Sequence, residues 1–233
     1  MLEVRDLHSG YGEAVVVRGV SLDVGAGEIV ALLGRNGMGK TTLIRSIMGL
    51  TPPRIRSGSI TWHDENLIGL RPLEIANRKI AIVPQGRRLF PSLTVMEHLT
   101  MLKSARAREG WTVDRVFGIF PRLAQRRHHR GTQLSGGERG MLAVGRALMI
   151  DPQLILMDEP SEGLAPVMVQ HLEEIILDLK REGLSILLIE QNLYSALAVA
   201  DRVYILETGQ VVHQGDAREL AQQTELLFRR LGV

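Results

Sequence analysis

Gly34-Arg35-Asn36-Gly37-Met38-Gly39-Lys40-Thr41 sets a glycine, four residues, then Gly-Lys-Thr, the spacing of a phosphate-binding loop. An apolar run, Ile29–Leu33, leads in, and a helical pattern from Thr42 to Gly49 leads out. The glycines let backbone N–H groups curl around phosphates, and the helix start adds partial positive charge. Lys40 is placed to meet the β- and γ-phosphates, Thr41 to hold Mg²⁺, and Thr42 to extend the cradle. A Gly-rich strand–helix turn with no ligand is the plain alternative, but Lys-Thr after Gly has no packing purpose there.

Outward from the loop, Gln153–Asp158 is an apolar strand ending in two adjacent carboxylates, Asp158 and Glu159. Strand alternation predicts that they point in different directions. Asp158 then suits the metal and Glu159 suits a general base. Leu134-Ser135-Gly136-Gly137-Glu138 opens a further helix. Ser135 is a good N-cap and Glu138, three residues on, completes a capping box. Gly136 and Gly137 are poor helix formers, costing up to ~1 kcal/mol each relative to Ala, and leave amides open as a second anion cradle.

Along the rest of the chain, residues 2–33 read as strands. Val20–Val24 and Glu28–Leu33 are separated by Gly25-Ala26-Gly27, a turn of hairpin length. Gly58–Trp62 and Ile80–Pro84 are further strands. From about 87 to 150 the periodicity is helical, with a capping box at Thr94 and Glu97 and an apolar stripe at Val113, Val116, Phe117 and Phe120. From Gln153 the α/β alternation returns. Pro166 opens a helix with Leu172, Ile175, Ile176 and Leu179 inward, and Ser185–Glu190 is a buried strand. Glu207–Gln210 reads as a hairpin turn, and the tail from Asp216 as helical.

The 233 residues are 45% hydrophobic and 23% charged, with a formal net charge of +2. That balance fits a globular chain and no strong nucleic-acid field. There are no cysteines, which excludes disulfides and thiolate metal sites. The N-terminus lacks a signal-peptide pattern, and no apolar run reaches the ~18–20 residues that span a bilayer. A role at a membrane would need another chain as anchor.

Leu134–Glu138 resembles the LSGGQ signature of ABC-type ATPases, and the order of phosphate loop, helical insert, signature and carboxylate strand is similar to that family across nearly the whole chain. The resemblance implies an α/β fold: a P-loop nucleotide-binding core with a mixed sheet, an N-terminal antiparallel β-subdomain and an inserted helical subdomain. The core and β-subdomain would occupy 1–86 and 151–233, and the helical part about 87–150. It implies ATP and Mg²⁺, ATP hydrolysis, and a head-to-tail dimer in which each signature completes the opposite site. By resemblance, Tyr11 stacks on adenine, and Gln85 contacts Mg²⁺ and relays to a membrane partner.

Three departures from the general pattern stand out: Glu138 for glutamine, Ser161-Glu162-Gly163-Leu164 for S-A-L-D, and Gln191 where the family has a switch histidine. Glutamine can hydrogen-bond a γ-phosphate but cannot carry a proton. With the segments 86–95, 162–166 and 189–192, these departures resemble one ATPase of branched-chain amino-acid or amide/urea importers. That subgroup implies a second ATPase subunit, two membrane permease subunits, an extracytoplasmic solute-binding protein and a peripheral place on the cytoplasmic membrane face, without nucleic acid. A soluble ABC-type ATPase and a non-catalytic module are the alternatives.

Overall fold

The computed structural model describes residues 1–101 and 110–222. The first strands, β1 (Leu2–Tyr11) and β2 (Ala14–Val24), pair antiparallel. β3 (Ile29–Leu33) runs into helix α1 (Lys40–Ile47), followed by β4 (Arg54–Trp62), β5 (Glu65–Asn66), α2 (Pro72–Ala76) and β6 (Ile80–Val83). Helices α3 (Val95–Thr100), α4 (Val113–Ile119), α5 (Pro121–Gln125) and α6 (Gly136–Leu148) come next. Then follow β7 (Leu154–Asp158), α7 (Pro166–Arg181), β8 (Ser185–Glu190), α8 (Leu193–Val199), β9 (Arg202–Glu207), β10 (Gln210–Asp216) and α9 (Ala217–Ala221). The rest of the helical tail expected after Asp216 lies outside the described residues, as does 102–109 of the helical stretch.

Two sheets form, ordered β2-β1-β4-β5 and β10-β9-β3-β8-β7-β6. The first is antiparallel; in the second, β9, β3, β8, β7 and β6 are parallel and β10 closes the edge antiparallel. All residues of β3, β7 and β8 are buried, which explains their unbroken apolar runs: a parallel sheet is covered on both faces. Strand alternation divides the cover. Ile155, Met157, Ile186 and Leu188 pack with α6 and α7 on one face. Leu154, Leu156, Leu187 and Ile189 pack on the other with α1 and the antiparallel sheet.

The expected hairpin at Gly25–Gly27 does not form. β2 pairs with β1 while β3 pairs with β8 and β9, so the glycines carry the chain from one sheet to the other. A short Gly-rich turn fits either geometry, and the fully apolar β3 takes the two-sided burial that only the parallel sheet offers. Ala14–Val17 and Val20–Val24 merge into one strand through a bulge at Gly19, whose φ is +73°. β4 begins at Arg54, earlier than Gly58, because its first half is largely exposed and carries no apolar alternation. The two capping boxes expected at Thr94 and Ser135 and the hairpin turn at Glu207–Gln210 are present.

Candidate active site

The carboxyl ends of β3, β8 and β7 lie side by side, with Leu33 opposite Glu190 and Ile189 opposite Asp158. Ligands of open α/β sheets bind beyond such ends. Here that edge carries the 34–41 loop, Glu190-Gln191 and Asp158-Glu159.

The loop has little room for side chains. A Cβ at Gly34 would stand 2.5 Å from the Leu206 carbonyl oxygen, and Gly39 has φ +103° with Val16 beside it. Lys40 is 4% exposed, and its ammonium donates to the carbonyls of Gly34 (2.7 Å) and Arg35 (3.0 Å). It also pairs with Glu159 Oε1 at 3.1 Å. All three donors of the lysine are thereby used. Thr41 Oγ1 donates to Asp158 Oδ1 at 3.3 Å. Burial pushes the Asp158 carboxyl up to about 6; the Thr41 hydrogen bond opposes this and the neighbouring Glu159 charge adds to it.

The side chains of Asp158 and Glu159 meet different partners, Thr41 and Lys40. Glu159 has φ +50°, and its N–H still bonds to the Ile189 carbonyl at 2.9 Å. The left-handed turn of the backbone brings its carboxylate back to Lys40. Gln85 Nε2 donates to Glu159 Oε2 at 3.0 Å and to Glu162 Oε2 at 3.1 Å. Val16, Asn36, Gly37, Gly39, Lys40, Thr41, Thr42, Gln85 and Glu159 line one open cavity of about 400 Å³. Met38 sits on the loop's outer side, where its sulfur accepts from the Thr208 N–H at 3.1 Å. Tyr11 ends β1, partly exposed, its hydroxyl 3.5 Å from Thr42 Oγ1.

The residues present fit a magnesium nucleotide. A hydroxyl, a carboxylate of raised pKa and an amide oxygen are hard donors that a cation would satisfy. No cluster of three or more His, Cys, Asp or Glu able to hold a metal exists among the described residues. That suits Mg²⁺, which is usually bound by one or two carboxylates together with substrate phosphates.

Other expected residues lie apart. Ser135, Gly136, Gly137 and Glu138 do not line the Lys40 cavity, though Gly137 lines a second cavity that Glu159 and Glu162 also line. Ser135 Oγ accepts from the Glu138 N–H at 3.2 Å, and Glu138 Oε2 accepts from the Ser135 N–H at 2.8 Å. Burial opposes ionisation of Glu138, but its bonds to Ser135 and the charge of Arg126, 3.6 Å away, outweigh it and hold the carboxyl below the usual range. The charge that replaces the usual glutamine is thus committed locally. A Cβ at Gly137 would meet Met168 Cε at 2.5 Å, the flexible end of a side chain that can move aside. Gln191 follows Glu190, exposed, at the strand end. Glu190 is buried, which raises its carboxyl, and it accepts from the Ser161 N–H at 3.1 Å.

The sequence marks Glu162 only as a departure from a motif and gives Arg87 and Arg146 no role, because their contacts cross long sequence separations. After Gln85, the residues Gly86, Arg87 and Arg88 have φ of +73°, +64° and +37°. Arg87 Nη2 donates to the Glu162 carbonyl at 2.8 Å. Arg146 of α6 donates to the carbonyls of Arg88 (3.0 Å) and Arg87 (3.5 Å), and burial lowers its pKa.

The chain is similar to known proteins over most of its length. The family model described as ABC transporter matches residues 17–162. The high-affinity branched-chain amino acid transport ATP-binding protein BraG of Pseudomonas aeruginosa is 46% identical over 214 residues, 91% of each chain. The lipopolysaccharide export system ATP-binding protein LptB of Escherichia coli is 36% identical over 240 residues, 99% of this chain and 97% of that one. A crystal structure of a nucleotide-free ATP-binding cassette from an ABC transporter superposes with a TM-score of 0.83 at 27% identity, covering 96% and 94% of the two chains. The chain belongs to the ATP-binding, ATP-hydrolysing family of ABC transporter proteins.

Proposed function

We propose that this chain powers an importer of branched-chain amino acids or related small amides by hydrolysing ATP. The observation that carries the substrate reading is the 46% identity to BraG across 91% of both chains. The chain would work as a dimer with a second ATPase subunit, docked on two membrane permease subunits served by an extracytoplasmic solute-binding protein. No helix among the described residues is long and apolar enough to cross a membrane, in keeping with a peripheral place on the cytoplasmic face.

The residues divide the work as follows. The amides of Gly34, Arg35, Asn36, Gly37, Met38, Gly39, Thr41 and Thr42 cradle the phosphates, and Lys40 exchanges its Glu159 contact for phosphate oxygens. Thr41, Asp158 and the amide oxygen of Gln85 would hold Mg²⁺, which when bound neutralises phosphate charge. Tyr11 offers its ring to adenine. Glu159, released from Lys40, orients the attacking water and accepts its proton. Gln191 donates an amide hydrogen bond toward the γ-phosphate. Ser135–Gly137 of the opposite subunit close the site and exclude water.

The test is uptake of labelled leucine and of labelled urea or acetamide in cells whose own copy is replaced by Glu159→Gln. Loss of one of these uptakes supports the importer reading. A second reading, drawn from the 36% identity to LptB, is lipopolysaccharide export; intact uptake with failed lipopolysaccharide assembly would favour it.

A further inference from the structure

We infer that Glu162 is a positioning residue that fixes which end of the Gln85 amide faces the metal site. The inference rests on the reading of Gln85 as a magnesium contact.

Gln85 Nε2 carries two hydrogens, and both have carboxylate acceptors: Glu159 Oε2 at 3.0 Å and Glu162 Oε2 at 3.1 Å. A carboxylate accepts and does not donate when ionised. Turning the amide over would set its oxygen against two carboxylates, so the chemistry of the partners fixes its orientation. With Nε2 so engaged, Oε1 is the atom left to act as a ligand, the kind of hard oxygen that Mg²⁺ prefers.

The two carboxylates are not equivalent. Glu159 is buried and also pairs with Lys40; to serve the attacking water it must loosen its hold on Gln85. Glu162 is exposed, lies on the loop after β7, and has no competing demand from Lys40. Its backbone carbonyl is tied down by Arg87 Nη2 at 2.8 Å, two residues beyond Gln85. Side chain and main chain of Glu162 thus grip the same loop at two points. When Glu159 turns to its water, Glu162 keeps the amide oriented and its oxygen on the metal side. Without Glu162, the amide rotates between two orientations and only one of them serves the cation.

Binding of a fluorescent ATP analogue to the full chain tests this, with Mg²⁺ and separately with EDTA, for the wild type, Glu162→Ala and Glu162→Gln. Glu162→Ala is expected to lose about three- to tenfold of the affinity measured with Mg²⁺, the scale of one hydrogen bond to a charged group at an exposed site, and nothing in EDTA. Glu162→Gln can donate as well as accept, so it no longer forbids the turned-over amide, and is expected to share most of the loss. In a Gln85→Ala background, Glu162→Ala should have no further effect. Full affinity in Glu162→Ala with Mg²⁺, or an equal loss in EDTA, would overturn the positioning role. A wild-type chain that binds the analogue equally with and without Mg²⁺ would remove the metal role of Gln85, and this inference with it.

Discussion

Lys40 Nζ lies 3.1 Å from Glu159 Oε1, with only 4% and 8% of the two side chains exposed. The cation assigned to phosphate and the carboxylate assigned to water therefore neutralise each other in this structure. On the proposed roles, phosphate oxygens drawing Lys40 away from Glu159 would couple nucleotide entry to release of the base.

Glu159→Gln is expected to slow ATP hydrolysis by about 100-fold or more, the usual worth of a general base. Nucleotide affinity should hold or rise, since Lys40 no longer leaves a charged partner to reach phosphate. Single-turnover phosphate release and calorimetric binding check the two halves; undiminished turnover would remove Glu159 from its role.

Lys40→Ala should lose nucleotide affinity at least about tenfold. It should also destabilise the nucleotide-free chain, because Glu159 is left buried without its counter-charge, a loss of about 3 kcal/mol in comparable pairs. Adding Glu159→Gln to Lys40→Ala is expected to recover much of the stability but none of the binding. Urea denaturation and calorimetry separate the effects, and unchanged affinity in Lys40→Ala would contradict the phosphate-loop assignment.

His98 supplies a pH dependence away from the nucleotide. It is fully buried, its Nδ1–H donates to the Thr94 carbonyl at 2.8 Å, and its Nε2 accepts from the Phe90 N–H at 2.9 Å. Burial lowers its pKa and the charge of Arg146 adds to this, while the Thr94 bond and Glu97 work the other way. A depressed folded pKa means that stability from neutral His98 is complete above about 6.5 and is lost as pH falls through the folded value. Wild type should exceed His98→Gln in thermal stability at pH 7.5, with the gap closing toward pH 5. A gap that does not change with pH would show that His98 binds its proton alike in the folded and unfolded chains, against a depressed folded pKa.

Arg202→Ala is expected to cost roughly 1–3 kcal/mol, since it leaves part-buried carboxylates unpaired. Arg202 bonds Asp23 at 2.7 Å at the end of β2, and Glu28 at 2.5 Å just before β3. Glu28 in turn accepts from the Gly25 N–H at 2.7 Å. The arginine therefore pins the crossing between the two sheets. Chemical denaturation measures the loss, and an Arg202→Lys chain should recover only part of it because the fork geometry is gone.

The phosphate loop was legible because Gly34, Gly39, Lys40 and Thr41 sit close together in sequence and their spacing states the geometry. The Thr94 and Ser135 capping boxes were legible for the same reason. Gly25–Gly27 misled because turn chemistry is local, whereas the choice between hairpin and sheet crossing depends on β8 and β9, more than 150 residues later. The short α2 escaped because its one buried residue, Ile75, leaves no periodic stripe. Glu162 read only as a departure from a motif; its meaning lies in a contact with Gln85, 77 residues away. Alternation at Asp158-Glu159 does not carry the left-handed backbone of Glu159, which lies just past the end of β7.

Two successive arginines, Arg87 and Arg88, are held in the left-handed region that disfavours residues bearing a Cβ by about 1–3 kcal/mol each. Arg146 clamps both of their carbonyls from α6. The backbone cost of the connector beyond Gln85 is thus met in part from the helix that starts at Gly136, so the geometry next to Gln85 is answerable to a side chain in the last turn of that helix.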